Sequence, residues 1–176
     1  MVYLHQTYGG DTLQYTCSYS SPLGEMLIAS DGSAVTGLWF IGQKYFGSTL
    51  EAEYAEKALP VFGQTVRWLD DYFQGNVPME MPPVSFNSSS FRIRVWKLLM
   101  EIPYGHTVTY GEIARMLEKQ TGRRICAQAV GGAVGHNPVS IIVPCHRVIG
   151  SNGLTGYAGG LDKKLALLRL EGVNVH

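Results

Sequence analysis

Three segments within the first forty residues alternate between apolar and polar side chains. The alternation covers residues 13–19, 25–30 and 34–40, and glycines, a proline and an Asp-Gly pair separate the three segments. Strict alternation places every second side chain on one face of a sheet, and such residues mark the turns between strands. The pattern predicts a short antiparallel meander.

The apolar spacing changes to a helical period further along. Between residues 61 and 73 large apolar side chains recur every three or four positions, and a Gln-Gly-Asn sequence ends the pattern. This spacing predicts one helix. Residues 75–90 then contain three prolines and end in a run of three serines, which is typical of a linker. We therefore predict two domains, residues 1–87 and 88–176.

The second half predicts three short helices. Ser90 stands where it would cap the first helix, which ends before Pro103. A short extended piece at residues 107–109 precedes the other two helices, predicted at residues 110–117 and 125–134. Two short helices joined by a tight turn form a helix-turn-helix, and its second helix is the recognition helix.

This recognition helix carries almost no side chains suited to reading bases. Residues 127–133 read Ala-Gln-Ala-Val-Gly-Gly-Ala, whereas helices in the major groove usually display arginine, asparagine or lysine. Small residues allow a close approach of the helix backbone. The sequence leaves two explanations open, namely tight packing against a neighbouring element and contact with a shallow groove without sequence reading.

Charge is divided unevenly between the two halves, although the net charge is zero. Residues 1–89 hold three basic and nine acidic side chains, while residues 90–150 hold eight basic and three acidic ones. This asymmetry favours contact of the second half with a polyanion, and a solvated surface is the alternative explanation.

The remaining composition indicates a protein of the cell interior. No stretch of the 176 residues is long and apolar enough to cross a bilayer, and the first seven residues lack the features of a secretory signal. Three cysteines without Cys-x-x-Cys spacing fit a reducing compartment. We expect a cytoplasmic protein.

One cysteine lies in an unusual sequence. The apolar run 141–143 predicts a buried strand that stops at Pro144 and delivers Cys145 to the mouth of a pocket. A free cysteine is mostly protonated near neutral pH, so it needs surroundings that favour the thiolate. The neighbouring His146 and Arg147 are candidates for that effect.

These motifs together resemble a known family, the O6-alkylguanine-DNA alkyltransferases, also called methylated-DNA-protein-cysteine methyltransferases. The resemblance is strong from about Phe91 onward and thinner before it. It is carried by the following residues: Pro144-Cys145-His146-Arg147-Val148, Gly131-Gly132-Ala133, Asn137-Pro138, Gly156-Tyr157-Ala158-Gly159-Gly160 and, in the first half, Ser21-Pro22-Leu23-Gly24. It implies an α+β fold with an N-terminal ribonuclease-H-like α/β domain and a C-terminal winged-helix-like helix-turn-helix domain.

The resemblance also implies the activity. Such a protein repairs DNA by direct and irreversible transfer of an alkyl group from O6-alkylguanine to its cysteine, and the sequence leaves open whether O4-alkylthymine is a second substrate. The helix-turn-helix enters the minor groove of double-stranded DNA, and the damaged nucleotide is rotated out of the stack. Each molecule acts once. We expect a monomer, no cofactor, no metal and no membrane partner.

The resemblance assigns catalytic roles to five residues. Cys145 is the alkyl acceptor, His146 removes its proton through a water molecule, and Glu171 orients His146. Tyr110 supplies a hydroxyl to the base, and Asn137 bridges the recognition helix and the active-site segment. Taken singly, Tyr110 and Glu171 fit structural roles better than catalytic ones, and only their joint family spacing around Cys145 favours the catalytic ones.

Further residues are assigned to the base and to DNA. The carbonyls of Cys145 and Val148 accept from the exocyclic amine of the base, the Ala158 amide donates to O6, and Tyr157 forms a wall. Gln128 stands where much of the family has an arginine that fills the space of the extruded nucleotide. The other residues expected at this interface are Ala127, Gly131, Arg147 and Gly159.

Two other classes of function remain as alternatives. A non-catalytic sensor of alkylated DNA would share the helix-turn-helix, but relatives of that kind replace the cysteine that this chain retains. A cysteine hydrolase or redox thiol enzyme would need a separately placed histidine partner or a resolving cysteine, and it would turn over repeatedly.

Overall fold

The computed structural model describes residues 13–174. Its contacts divide the chain into two compact units, Met1–Asn87 and Ser88–His176. The seven N-terminal residues used above to exclude a secretory signal lie outside the described range. No helix between residues 13 and 174 is long and apolar enough to cross a membrane. Strands and helices together confirm the α+β class.

The first unit contains a four-stranded sheet. Its strands are β1 (Gln14–Ser21), β2 (Gly24–Ser30), β3 (Val35–Phe40) and β4 (Tyr54–Glu56), in the order β3-β2-β1-β4. The first three strands pair antiparallel, which confirms the predicted meander. The short β4 pairs parallel to β1 and was not predicted, because three residues are too few to show a period.

One helix covers this sheet. Helix α1 (Pro60–Phe73) begins with a proline at a position where no backbone N–H is needed, and its start lies one residue before the predicted one. It contacts β1, β2 and β3. The side chains that it buries are Val61, Phe62, Thr65, Trp68, Leu69 and Tyr72.

The second unit is mainly helical. Its elements are α2 (Ser90–Met100), β5 (Val108–Thr109), α3 (Tyr110–Thr121), α4 (Ala127–Gly135), β6 (Val148–Ile149) and α5 (Leu161–Leu170). The three helices predicted before residue 135 are confirmed. The cap of α2 is Ser89 and not Ser90, because Ser89 has extended backbone angles and its hydroxyl accepts from the Arg92 amide at 3.4 Å.

Helices α3 and α4 form the helix-turn-helix. Thr109 and Glu112 form a reciprocal capping box at the start of α3, and Gly122, with φ of 67°, ends the helix. Helix α4 contacts α2 and α3. Its Val130, Ala133 and Val134 are buried, whereas residues 127–129 are exposed. Most of the small residues of α4 therefore lie on its exposed side, which presents a bare surface.

The segment before Cys145 differs from the prediction. Residues 139–143 are buried, but they form turns and not a strand, and Cys145–Arg147 is one turn of 3₁₀ helix. Strand β6 follows directly and pairs parallel with β5, with Val148 opposite Val108. A buried apolar run of three residues has the same pattern in a turn as in a strand, so the sequence alone could not separate them.

Candidate active site

Cys145 lies at the start of the 3₁₀ turn and is only 5 % exposed. All three cysteines between residues 13 and 174 are free. Burial raises the pKa of the Cys145 thiol, whereas a hydrogen bond from Asn137 and the charge of Lys164 act to lower it. The groups that favour the thiolate are Asn137, Lys164 and the backbone amides of Cys145 and His146.

Asn137 ties the end of the recognition helix to the cysteine. Its side-chain nitrogen Nδ2 lies 3.1 Å from the Cys145 sulfur and donates to the Val143 carbonyl at 2.8 Å. Its oxygen Oδ1 accepts from the Val139 amide at 3.0 Å. Asn137 is buried, so both ends of its amide are used inside the protein. Asn137 therefore lies between the end of α4 and the segment that carries Cys145.

His146 and Glu171 form a buried pair. The ring nitrogen Nε2 lies 2.7 Å from the carboxylate oxygen Oε1. Burial lowers the pKa of His146 despite the neighbouring carboxylate. Burial works in the opposite direction for Glu171, but hydrogen bonds from His146 and Arg147 prevail and lower its pKa to about 2. A neutral imidazole therefore lies against an ionised carboxylate.

Arg147 completes this charged group. Its guanidinium donates to both oxygens of Glu171, at 2.8 and 2.9 Å, and to the Ile102 carbonyl at 2.6 Å. The side chain is buried and stacks over the Tyr104 ring at 5.7 Å. Its guanidinium is committed to the protein interior and not to DNA, contrary to the prediction. Arg147 neutralises Glu171 and holds it in place.

The geometry assigns the two ring nitrogens of His146 to different tasks. Because Glu171 is ionised, Nε2 carries a hydrogen and donates it, so that Nδ1 is the nitrogen able to accept a proton. Cys145 and His146 are consecutive residues of a 3₁₀ turn. A bridging water remains the physically reasonable link between neighbours whose side chains diverge.

The structure adds one residue that the sequence reasoning missed. The Lys164 ammonium donates to the carbonyls of Val148, Thr155 and Gly156, at 2.6, 2.5 and 3.2 Å. The residue is fully buried, and burial lowers its pKa to about 8. The sequence could have indicated that Lys164 is buried, because Lys164 lies three and four positions before the buried Leu167 and Leu168 and therefore on the same face of α5.

Two tyrosines lie near the thiol. Burial raises the pKa of Tyr110, and a hydrogen bond with the Thr155 side chain opposes this effect. Burial raises the pKa of Tyr157 still more, and the proximity of Cys145 adds to it. Both hydroxyls are therefore protonated at neutral pH and able to donate. The structure places both tyrosines close enough to Cys145 for its charge to act on their hydroxyls.

A turn carries the two remaining pocket residues. The Gly160 amide donates to the Tyr157 carbonyl at 3.0 Å, and the amides of Ala158 and Gly159 lie between these two groups, outside that hydrogen bond. The Val148 carbonyl accepts from Lys164, so one of its two lone pairs is already used. Its predicted bond to a base would have to use the other.

Two family models match the chain. The one described as 6-O-methylguanine DNA methyltransferase, DNA binding domain, matches residues 90–173, and the one described as the ribonuclease-like domain of the same protein matches residues 14–82. The methylated-DNA–protein-cysteine methyltransferase of Mycobacterium bovis is 45 % identical over 152 residues, which are 86 % of this chain and 88 % of that protein.

The chain belongs to the methylated-DNA–protein-cysteine methyltransferase family.

Solved structures agree with this membership. The crystal structure of Mycobacterium tuberculosis O6-methylguanine methyltransferase is 42 % identical, with a TM-score of 0.76 over 90 % of this chain and 93 % of that one. That of Mycobacterium tuberculosis OGT in complex with DNA is 41 % identical, with a TM-score of 0.75 over 90 % and 91 % of the two chains. The first unit is accordingly the family's ribonuclease-like domain, and the second is its DNA-binding domain.

The family's recognition helix has an exposed side in this chain. Ala127 and Gln128 lie on that side. Within residues 13–174, Gln128 makes no hydrogen bond to Cys145, Asn137, His146 or Glu171. Gly131 lies on the inner side, where an added Cβ would stand 3.8 Å from the Tyr110 ring. That distance is ordinary van der Waals contact, so Tyr110 packs beside α4 at this position, and Gln128 is exposed on the other side.

Proposed function

We propose that this member of the family repairs DNA by moving the alkyl group of O6-alkylguanine onto the sulfur of Cys145. The observation that carries the proposal is a thiol held by Asn137 at 3.1 Å and followed directly by a histidine paired with a buried carboxylate at 2.7 Å. This arrangement supplies a nucleophile, a base and an orienting group in one segment.

The chemistry requires that the nucleotide leaves the duplex. The O6 atom lies inside the base stack, so a buried thiol reaches its alkyl group only after rotation of the nucleotide, at a cost of a few kcal/mol that is smaller for a damaged base. The excess of basic residues between positions 90 and 150 supports contacts with phosphates, and the bare side of α4 supports insertion into the minor groove. We assign Gln128 to the vacated space.

The transfer forms a sulfur–carbon bond at Cys145 and breaks the carbon–O6 bond of the base. His146 accepts the thiol proton at Nδ1 through a water molecule, and the sulfur attacks the alkyl carbon as the carbon–O6 bond breaks. The leaving guanine takes a proton from the Tyr110 hydroxyl, and the proton held by His146 restores that hydroxyl through solvent. The products are S-alkylcysteine and unmodified guanine. Glu171 stabilises the imidazolium that exists between these steps.

The product makes the reaction a single event per molecule. A thioether offers no activated carbon to water, so the thiol is not regenerated. The acceptor must be reduced before it reacts, and we place the protein in the cytoplasm, where thiols stay reduced.

A titration tests the proposal. Increasing amounts of protein are added to duplex DNA that contains one O6-methylguanine, and the remaining lesion is counted. The expected result is loss of one lesion per protein molecule and none with Cys145→Ser. Repair in excess of protein would favour a hydrolase, and binding without repair would favour a sensor of alkylated DNA.

A further inference from the structure

A strained turn precedes the active-site cysteine. The Ile142 amide donates to the Ser140 carbonyl at 2.8 Å, which closes a three-residue γ-turn centred on Ile141. Ile141 has φ of 69°. This form of γ-turn is rare and strained, and a positive φ is especially unfavourable for a β-branched residue because its Cβ substituents crowd the backbone.

Burial of the Ile141 side chain opposes the strain. Ile141 is 1 % exposed, so its side chain is anchored in the apolar interior of the second unit. An extended backbone at this position would remove the anchor from its site. Strain of this kind persists only where the surrounding structure determines it, and it is found most often at functional sites.

A second γ-turn connects this one to the cysteine. The Cys145 amide donates to the Val143 carbonyl at 2.8 Å, and the Val143 amide donates to the Val139 carbonyl at 3.0 Å. Pro144, at the centre of the second turn, has φ of −81° and ψ of 62°, which is the relaxed form of a γ-turn. The backbone thus reverses twice between Val139 and Cys145.

The two turns aim one carbonyl at Asn137. The Val143 carbonyl accepts from Asn137 Nδ2 at 2.8 Å and from the Cys145 amide, so it fixes both the asparagine and the backbone of the cysteine. The same Nδ2 lies 3.1 Å from the sulfur. Extension of the chain at Ile141 would turn the Val143 carbonyl away and break its hydrogen bonds with Asn137 and the Cys145 amide.

We propose that Ile141 is a positioning residue, which sets the place of the Cys145 sulfur by holding a strained γ-turn through its buried side chain. The inference rests on the proposed alkyl transfer to Cys145 and adds a residue that takes no part in the transfer steps described above. It also explains how an apolar run too short for a strand serves the site.

Three substitutions separate the turn from simple packing. Ile141→Val keeps a branched anchor, Ile141→Gly loses the anchor but accepts a positive φ without strain, and Ile141→Ala loses the anchor and keeps the strain. The rate of transfer from methylated duplex should follow the order wild type and valine, then glycine, then alanine. We expect a loss of about tenfold or more for alanine, as for reacting groups displaced by a fraction of an ångström.

The transfer rates of Ile141→Gly and Ile141→Ala distinguish a positioning role from simple packing. A role in packing alone predicts that glycine, which removes more volume, is the slower of the two, and a rate for Ile141→Ala equal to or above that for Ile141→Gly would overturn the proposal. Ile142→Ala is the matched control, because Ile142 is 2 % exposed and lacks a positive φ. It should lower the melting temperature with little change in rate.

A second measurement does not depend on DNA. Modification of Cys145 by iodoacetamide is followed against pH, at a temperature below the melting midpoint of every variant. Loss of the Asn137 contact should move the profile of Ile141→Ala to higher pH, and that of Ile142→Ala should stay with the wild type. Coincident profiles for all variants would refute the positioning role. Failure of the proposed function would appear separately, as a wild type that accepts no alkyl group.

Discussion

The imidazole of His146 and the carboxylate of Glu171 meet at 2.7 Å, and neither side chain has any exposure to solvent. The same carboxylate accepts two hydrogen bonds from Arg147. One buried anion therefore orients the base of the reaction and neutralises a buried cation. This double role makes Glu171 the most informative position for mutation after Cys145.

Glu171→Gln should slow the transfer strongly. The amide cannot stabilise a protonated His146, and general acid–base catalysis of this kind contributes roughly 10²- to 10⁴-fold. The variant should also be less stable by about 3–5 kcal/mol, because Arg147 keeps its charge without a counter-ion. Transfer rates are compared at a temperature where the variant is folded. The control is Glu101→Gln, at an exposed carboxylate. Equal transfer rates for the two variants would contradict the role of Glu171 in stabilising protonated His146.

Acid should destabilise the protein in two steps. The pKa of His146 is lowered in the folded state, so unfolding takes up a proton and stability falls as the pH drops below about 6.5, the value of a free histidine. The pKa of Glu171 is lowered to about 2, so its contribution is complete above the unfolded value of about 4.3 and is lost as the pH falls towards 2. The free energy of unfolding against pH measures both steps.

The second step should be absent from Glu171→Gln. Other carboxylates also titrate in this range, so the difference between wild type and variant is the quantity to examine. Parallel curves between pH 4.3 and 2 would show that Glu171 is not responsible for the loss.

Lys164→Met should make the cysteine less reactive near neutral pH. The Lys164 charge lowers the pKa of Cys145, and one pKa unit corresponds to a tenfold change in thiolate at a pH below the pKa. We therefore expect Cys145 of the variant to react more slowly than that of the wild type at pH 7. The two rates should converge above pH 8 to 9, because the pKa of Lys164 itself is about 8.

The neighbouring lysine provides the control. Lys163→Met makes the same change one position earlier on α5, at a side chain that is only partly buried. The ratio of Cys145 reactivity between wild type and Lys164→Met should change with pH. A ratio that is the same at every pH would show that the lysine acts on the backbone carbonyls alone and not through its charge.

Gln128→Arg should tighten binding to duplex DNA. An arginine on the exposed side of α4 adds one positive charge near phosphates, so the logarithm of the binding constant should fall more steeply with the logarithm of salt concentration, by about one unit of slope. Binding is measured by fluorescence anisotropy. Gln120→Arg adds the same charge at an exposed position on α3 and controls for charge alone. A strong loss of binding with Gln128→Arg would contradict the place given to this residue.

Much of this fold was open to prediction from local patterns. The three strands of the meander, α1 and the helix-turn-helix all follow from periods of two or 3.6 residues maintained over at least six positions. The short β4 and β6 did not, because two or three residues show no period and depend on distant partners. The choice of Ser89 over Ser90 as a cap depends on a single backbone conformation, which three identical residues cannot specify.

The site was predictable in its residues and not in its conformation. Cys145, His146, Glu171, Asn137 and Tyr110 were assigned through the family resemblance, and the structure brings these residues together. The γ-turns of residues 139–145 were missed, because an apolar run looks the same in a strand and in a buried turn. Lys164 was missed although a lysine on the apolar face of a helix is unusual, and Arg147 was placed at the DNA although its charge is needed beside Glu171.

The most direct test of the account is a peptide map by mass spectrometry after reaction with duplex DNA that contains O6-methylguanine. Alkyl transfer to Cys145 predicts one added methyl group on the peptide with Cys145, in every molecule once the lesion is in excess, and none on the peptides with Cys17 or Cys126. A methyl group on another residue, or repaired DNA together with an unmodified Cys145 peptide, would contradict the central claim that this sulfur accepts the alkyl group.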